Sequence, residues 1–144
     1  LLISPIKQHL FLDLKHAAYS LRFTQKFQKL INDYDLNPAR ICGRDWQVIS
    51  TISKDGKTLP FYTINENNDF DKLDKSSSSL TKPAGFSIRH NLINKEVLKY
   101  LKTKFPQSEI WVWTIDNLGE AKIMAKLKID GIITNNWEKL LKFR

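Results

Sequence analysis

The segment EIWVWTIDNLGEAKIMAKLKIDGIITNN, at residues 109–136, constrains the fold more than any other part of the chain. Residues 110–115 are almost all apolar and β-branched or aromatic, a pattern typical of a strand that is covered on both faces. Residues 118–128 space their apolar side chains as a core-facing helix does, and residues 129–134 form a second strand. Since this connection is helical and too long for a hairpin, the two strands are predicted to lie parallel, with a right-handed crossover.

Strand-like and helix-like segments alternate along the whole chain, which predicts a parallel α/β fold. Asp45 and Asn94 are placed to cap helices, and Pro106 ends one of them. Ligands of such folds bind at the carboxyl ends of the strands, where residues 113–117 and 134–136 fall. The predicted strands are residues 9–14, 40–42, 59–64, 85–90, 110–115 and 129–134, and the predicted helices are residues 17–34, 46–52, 68–75, 95–104, 118–128 and 137–143.

The length of the chain suits one domain, residues 1–144, with 42% hydrophobic residues available for a core. A complete eight-unit barrel needs roughly 200 residues or more. The chain opens on Leu1-Leu2-Ile3 rather than Met, and we expect it to be part of a longer protein.

Its single cysteine, Cys42, excludes an internal disulfide, and no apolar run reaches the ~18 residues of a membrane span. Nothing in the sequence indicates a compartment.

The two strand ends of the opening segment resemble a known signature. WTIDN at residues 113–117, a helix of about three turns, and IDGIITN at residues 129–135 are similar to the C-terminal signature of the glycerophosphodiester phosphodiesterase family. There W-T-[VI]-N/D precedes G-[VI]-D-G-[IV]-[IV]-T-D and closes a TIM barrel. Two positions depart from the pattern: Lys128 replaces a usual Gly, and Asn135 replaces a usual Asp. Asparagine keeps the hydrogen-bonding reach of aspartate but lacks its charge.

The resemblance implies a partial TIM (β/α)8-type barrel of about six βα units, the third to the eighth of the family. The family's first two strands, with its H-R-G, E-x-D and H-D motifs, have no counterpart in this chain. Residues 9–14 and 129–134 would then border absent strands, and bare strand edges tend to pair with another chain. We expect them to be covered by residues 1–7, by the missing N-terminal part of the parent chain, or by a homo-oligomer partner.

The first predicted strand carries an unusual polar pair. In LFLDLK, at residues 10–15, the period-two geometry of a strand places Asp13 and Lys15 with Phe11 on one face, and the leucines on the other. If helices cover the leucine face, both charges point into the barrel mouth. Opposite charges there are costly to desolvate unless they meet a metal, a phosphate or each other. From the residues alone, a simple salt bridge at a strand end is an equal alternative.

The family has I-E-[IL]-K at the start of its third unit, and LDLK is similar to it residue by residue. The resemblance implies that Asp13 is a ligand of a divalent metal, Ca²⁺ or Mg²⁺, and that Lys15 is the catalytic residue beside the substrate phosphate. It also implies that Trp113, predicted on the same face as Trp111 and Ile115, contacts the substrate's alcohol group. Core filling is the alternative for Trp113.

Arg44 follows the second predicted strand and precedes the next helix, where it could bind an anion of the substrate. A solvent-facing arginine is the commoner outcome at such a position. His90 and His16 are expected to be structural or surface residues. They do not make a convincing pair of proton-transfer histidines.

The net charge of +8 comes from 23 Lys and Arg against 15 Asp and Glu. The lysines are spread over helix faces without a nucleic-acid-binding motif, so we expect no nucleic-acid partner and favour phospholipid head groups or phosphodiesters as ligands. The resemblance implies metal-assisted hydrolysis of glycerophosphodiesters to glycerol 3-phosphate and an alcohol, with this chain alone inactive. The alternatives are a noncatalytic relative of the family and a basic module that binds phospholipid or nucleic acid.

Overall fold

The computed structural model describes residues 10–15, 20–34, 36 and 38–141. Within them six strands form one sheet, and their order in the sheet is their order in the chain. Every neighbouring pair is parallel. The curled sheet is thus part of a barrel of the TIM type, as the sequence predicted. The strands are β1 (Phe11–Asp13), β2 (Ala39–Gly43), β3 (Thr58–Ile64), β4 (Gly85–Arg89), β5 (Glu109–Trp113) and β6 (Gly131–Ile132).

A helix follows each strand. Asp45 and Asn94 cap two of them through side chains that accept hydrogen bonds from backbone N–H groups, as predicted, and Ser20 and Asn117 cap two more in the same way. The helices are α1 (Leu21–Asp33), α2 (Trp46–Ile52), α3 (Asn68–Ser76), α4 (Lys95–Lys104), α5 (Leu118–Lys126) and α6 (Trp137–Leu141), with 3₁₀ turns at Ser53–Asp55 and His90–Leu92. No described helix is long and apolar enough to cross a membrane.

Most element boundaries match the sequence prediction within two residues. The final strand is shorter than predicted, because only Gly131–Ile132 pairs with β5. His90 was predicted to end the fourth strand, but it begins a 3₁₀ turn. The predicted starts of the first strand and first helix, and the end of the last helix, lie outside the described residues.

The core is an apolar layer between the sheet and the helices. Alternate strand residues supply one side of it, and all of them are at most 1% exposed: Ile41, Tyr62, Ile64, Phe86, Ile88, Ile110 and Val112. Trp46, Ile49, Leu73, Leu101 and Met124 supply the other side from the helices. Burying one such side chain contributes about 1.5–3 kcal/mol. Leu12 and Leu14 pack against this layer, so the leucine face of β1 lies toward the helices as predicted.

The other face of the sheet turns inward. At its amino-terminal end, the rings of Phe11, Phe61 and Trp111 make contact, with centroid distances of 5.0 Å from Phe11 to each of the other two. Arg40 donates two hydrogen bonds to Glu109, of 3.0 and 2.8 Å, and Trp111 Nε1 donates a third of 2.8 Å. The Arg40 guanidinium holds the pKa of Glu109 below its usual value. These five residues form a plug that closes the inside of the sheet at that end.

Two predictions for the fifth strand are wrong. Ile110 and Val112 are buried, whereas Trp111 and Trp113 on the inward face are only partly buried, so β5 is not fully covered on both faces. Ile115 does not share the face of Trp111, because the strand ends at Trp113 and the alternation stops there. Ile115 is fully buried in the helix-side core instead.

β1 and β6 are the edge strands of the described sheet. The predicted cover from residues 1–7 falls outside the described residues. What lies against these two edges therefore stays a prediction.

Gly85 tests the packing of the plug. A Cβ at this position would lie 2.2 Å from Phe61 Cε1 and 2.7 Å from the backbone oxygen of Glu109. We expect Gly85→Ala to lower the free energy of unfolding by about 1–3 kcal/mol, since backbone must move to admit the methyl group. Urea denaturation measures it. The control is Gly119→Ala in α5, where the nearest atom is an ordinary 3.4 Å away; equal stability of the two variants would contradict the packing.

Candidate functional site

A cavity of about 760 Å³ opens at the carboxyl ends of the strands. The four residues that the sequence analysis selected, Asp13, Lys15, Arg44 and Trp113, all line it, although they come from three different strand ends. Their functional roles stay predictions. The other lining residues are Phe11, Leu14, Cys42, Asp45, Thr63, Asn65, Ser87, Trp111, Thr114, Ile133 and Asn135.

Asp13 and Lys15 form an ion pair at the cavity mouth. Lys15 Nζ lies 3.1 Å from Asp13 Oδ2, with the lysine side chain 74% and the aspartate side chain 49% exposed. The two charged groups therefore pair with each other, which is one of the three arrangements expected from the sequence; the others were a metal and a phosphate. An ion pair this exposed contributes little to stability. A phosphate ligand can consequently compete with Asp13 for the ammonium group.

Arg44 lies at the rim of the same cavity. Its Nη2 donates to Glu66 Oε1 at 3.1 Å, and both side chains are exposed. The N-terminus of α2 next to it is already capped, because Asp45 Oδ1 accepts a hydrogen bond from Val48 N. An anion bound by Arg44 would compete with Glu66 for the guanidinium group, just as one bound by Lys15 would compete with Asp13. It would also meet the carboxylate of Asp45, which makes Arg44 the less favourable of the two for a phosphate.

Trp113 forms part of the cavity wall at the end of β5 and is partly buried. Trp111, two residues earlier, belongs to the plug and stacks on Phe11. The two tryptophans therefore share a face but occupy different depths. Both tryptophans line the cavity, and Trp113 is the one at the carboxyl end of β5.

His90 does not line the cavity. Its Nδ1 lies 3.3 Å from the carbonyl oxygen of Trp113, a contact that holds the end of β4 beside the end of β5. His16 lies outside the described residues. No histidine of the described part of the chain is positioned to move a proton at the cavity.

Asp116 joins the loops that follow β5 and β6. Its Oδ1 accepts hydrogen bonds from Thr134 Oγ1 at 3.1 Å and from Asn135 N at 2.8 Å, and its Oδ2 accepts from Asn135 Nδ2 at 3.0 Å. The hydrogen bond from the Asn135 side chain is the main reason that the pKa of Asp116 lies below its usual value. An aspartate at position 135 could not donate in this way. The departure from the family pattern thus has a local structural reason.

Sequence reasoning missed the residues at the cavity floor. Cys42, Thr63 and Ser87 point inward from three successive strands, and Cys42 is the register partner of Asp13. Burial, aided by the nearby carboxylate of Asp13, raises the pKa of Cys42 to about 12. The thiol is therefore protonated at neutral pH and is not a ready nucleophile. The inward alternation of β2, β3 and β4 was the signal that could have identified these residues.

The described residues do not fit a metal centre by themselves. Among them, no group of three or more His, Cys, Asp or Glu side chains is arranged to hold a metal ion. Asp13 is a hard oxygen donor suited to Ca²⁺ or Mg²⁺, but it is already paired with Lys15 and its buried neighbour Cys42 is protonated. The metal implied by the sequence resemblance would need further ligands from elsewhere, and Asp13 as a metal ligand stays a prediction.

Asn135→Asp tests the link between the last two loops. The substitution removes the 3.0 Å donation to Asp116 and sets two carboxylates against each other. At pH 7 we expect a melting temperature a few degrees below the wild type, and the deficit should shrink below about pH 4 as one carboxyl group is protonated. Thermal unfolding at both pH values measures it.

The matched control is Asn32→Asp, because Asn32 Oδ1 accepts from Lys57 Nζ at 2.8 Å and a carboxylate there keeps its partner. Its stability should stay close to that of the wild type. A deficit for Asn135→Asp that is the same at both pH values would contradict the electrostatic explanation.

No protein-family model and no curated protein matches the sequence. Solved structures do share its fold. They include a putative glycerophosphodiester phosphodiesterase from Galdieria sulphuraria, with a TM-score of 0.76 and 17% identity over 93% of this chain and 56% of that chain. A putative glycerophosphoryl diester phosphodiesterase from Silicibacter pomeroyi DSS-3 has a TM-score of 0.72 and 15% identity over 93% of this chain and 50% of that one.

A phosphodiesterase from Oleispira antarctica, solved in complex with the product sn-glycerol-3-phosphate, has a TM-score of 0.64 and 12% identity over 83% of this chain and 47% of that chain. The chain thus spans about half the length of these proteins. At such low identity the likeness concerns the fold. It confirms that the six βα units are similar to part of a glycerophosphodiester phosphodiesterase barrel, as the motifs at the two strand ends predicted.

Proposed function

We propose that this chain forms the ligand-binding part of a glycerophosphodiester phosphodiesterase-like barrel and that it binds a glycerol phosphate group in the cavity at the carboxyl ends of the strands. The observation that carries the proposal is the position of Lys15. It lies at the mouth of a cavity with an aromatic wall, in a fold similar to enzymes of that name, and its only described charged partner is an exposed aspartate.

In this proposal, different lining residues contact different parts of the ligand. The Lys15 ammonium would contact phosphoryl oxygens and offset their negative charge. The ring of Trp113 would pack against the carbon atoms of the ligand. Arg44, at the rim of the cavity, would add a further contact in competition with Glu66. Together these groups can hold and orient a phosphate ester.

Hydrolysis needs more than these residues provide. The described part of the cavity holds no histidine and no cluster of metal-ligating side chains. Proton transfer to the leaving alcohol therefore has no assigned donor. In our proposal the whole reaction runs only when a further part of the protein completes the barrel, and a family relative that binds without catalysis remains the alternative.

A basic module that binds membranes or nucleic acid through its outer surface is less well supported. Three outer lysines are each paired with a carboxylate: Lys29 with Asp33, Lys102 with Asp130, and Lys104 with Asp74. Such pairing lowers the local positive potential that anionic polymers require. The cavity, not the outer helix layer, is therefore the favoured ligand site.

Lys15→Met tests the proposed phosphate contact. The variant should bind sn-glycerol 3-phosphate about tenfold more weakly than the wild type, since a charge-assisted hydrogen bond is lost. Isothermal titration calorimetry measures the dissociation constants. Lys29→Met is a close control, because Lys29 is also 74% exposed and is paired with a carboxylate 49% exposed. Equal weakening by both substitutions would show that binding follows net charge and not the cavity.

The purified 144-residue chain should not hydrolyse glycerophosphocholine at an appreciable rate, with or without added Ca²⁺ or Mg²⁺. The absence of a general acid or base typically costs about 10²–10⁴-fold in rate. Enzyme-coupled detection of released glycerol 3-phosphate measures this. Robust, metal-dependent release would mean that this chain carries the whole catalytic apparatus.

A further inference from the structure

The floor of the cavity differs chemically from its mouth. Thr63 and Ser87 are direct neighbours in the parallel register of β3 and β4, and both side chains line the cavity. Cys42 reaches the same floor from β2. All three residues are at most 9% exposed. The mouth thus carries charged groups, and the floor carries two hydroxyl groups and a thiol.

Thr63 Oγ1 is buried and makes no hydrogen bond of ordinary geometry in the described part of the chain; the Cys42 thiol, a weak hydrogen-bonding group, is the one side chain there that interacts with it. A hydroxyl can donate one hydrogen bond and accept two, and leaving it unpaired in the interior is costly. Several other buried hydroxyls of the described residues do have hydrogen-bond partners. Ser53 Oγ and Thr58 Oγ1 lie 2.9 Å apart, and Ser108 Oγ donates to Pro83 O at 2.8 Å. The unpaired hydroxyl is therefore a particular feature of the cavity floor.

The surroundings of Thr63 restrict what could satisfy it. Burial, together with the nearby carboxylate of Asp13, disfavours a negative charge on the Cys42 thiol, so an anionic group that reaches the floor with no cation beside it is also disfavoured. A metal ion has too few ligands among the described residues. A neutral group that both donates and accepts a hydrogen bond, such as an alcohol, fits Thr63 best.

We propose that Thr63 is a specificity-determining residue whose hydroxyl, with that of Ser87 beside it, binds an alcohol group of the ligand. The inference rests on the proposed function, in which Lys15 holds the phosphate at the mouth. The carbon chain of a polyol phosphate would then run from Lys15 toward the floor. The cavity would select glycerol phosphate over a phosphate ester of equal size that lacks hydroxyl groups.

Three probes test this selection by calorimetry: sn-glycerol 3-phosphate, n-propyl phosphate and inorganic phosphate. Propyl phosphate has the same charge and carbon number as glycerol phosphate but no free hydroxyl. The wild-type chain should prefer glycerol phosphate over propyl phosphate by at least about fivefold. Thr63→Val should weaken glycerol phosphate binding about five- to tenfold and leave the affinity for the other two probes within about twofold.

Stability gives an independent readout. Thr63→Val keeps the shape of the side chain and removes an unpaired buried hydroxyl, so its melting temperature should equal or exceed that of the wild type. Thr58→Val, on the same strand, is the matched control. It removes a hydroxyl that is paired with Ser53, so it should lower the melting temperature and leave the ligand preference unchanged.

The outcomes separate this inference from the proposed function. If the wild type binds both esters equally well through Lys15, or if Thr63→Val weakens all three probes alike, the hydroxyl subsite is wrong and the phosphate site stands. If Thr63→Val destabilises the fold as Thr58→Val does, its hydroxyl is already satisfied by water or by another segment, which also overturns the subsite. If the wild type binds none of the probes, the proposed function fails and the subsite fails with it.

Discussion

The apolar layer between the sheet and its helices determines how every other part of this protein is arranged. Each central strand gives that layer alternate residues, such as Ile41, Tyr62 and Ile88, that are inaccessible to solvent. A shift of one residue in any strand would expose its apolar face, so the register is strongly fixed. Because the register is fixed, the remaining residues of each strand have to face inward, whatever their chemistry.

The inward face has two tiers as a consequence. The amino-terminal tier is occupied by the aromatic rings and by the Arg40–Glu109 pair, and two of its rings, Phe11 and Trp111, also line the cavity. The carboxyl-terminal tier keeps polar and charged side chains around an open cavity. Loops that follow the strands add to this tier, and Asp116 joins two of them through its hydrogen bonds with Asn135. The occupied amino-terminal tier thus supports the open carboxyl-terminal tier, where the proposed ligand site lies.

Periodicity predicted most of the fold, because alternation within strands and capping at helix starts are local properties of the sequence. The faces of Leu12 and Leu14, and the caps Asp45 and Asn94, follow from such patterns. The side of Ile115 could not be predicted, since it depends on where the strand ends.

The hydrogen bonds of Asp116 and the unpaired hydroxyl of Thr63 could not be predicted for a related reason. Their environments are made by residues distant in sequence, and only the folded sheet brings them together. The roles given to Asp13, Lys15, Arg44 and Trp113 stay predictions.

The most direct test of the account is a titration of the isotopically labelled chain with sn-glycerol 3-phosphate, followed by backbone amide NMR shifts. The account predicts saturable shifts confined to residues 11–15, 42–45, 63–65, 87, 111–116 and 133–135, which surround the cavity. Shifts confined to the lysine-bearing outer faces of α1, α4 and α5, or no saturable shifts, would contradict it.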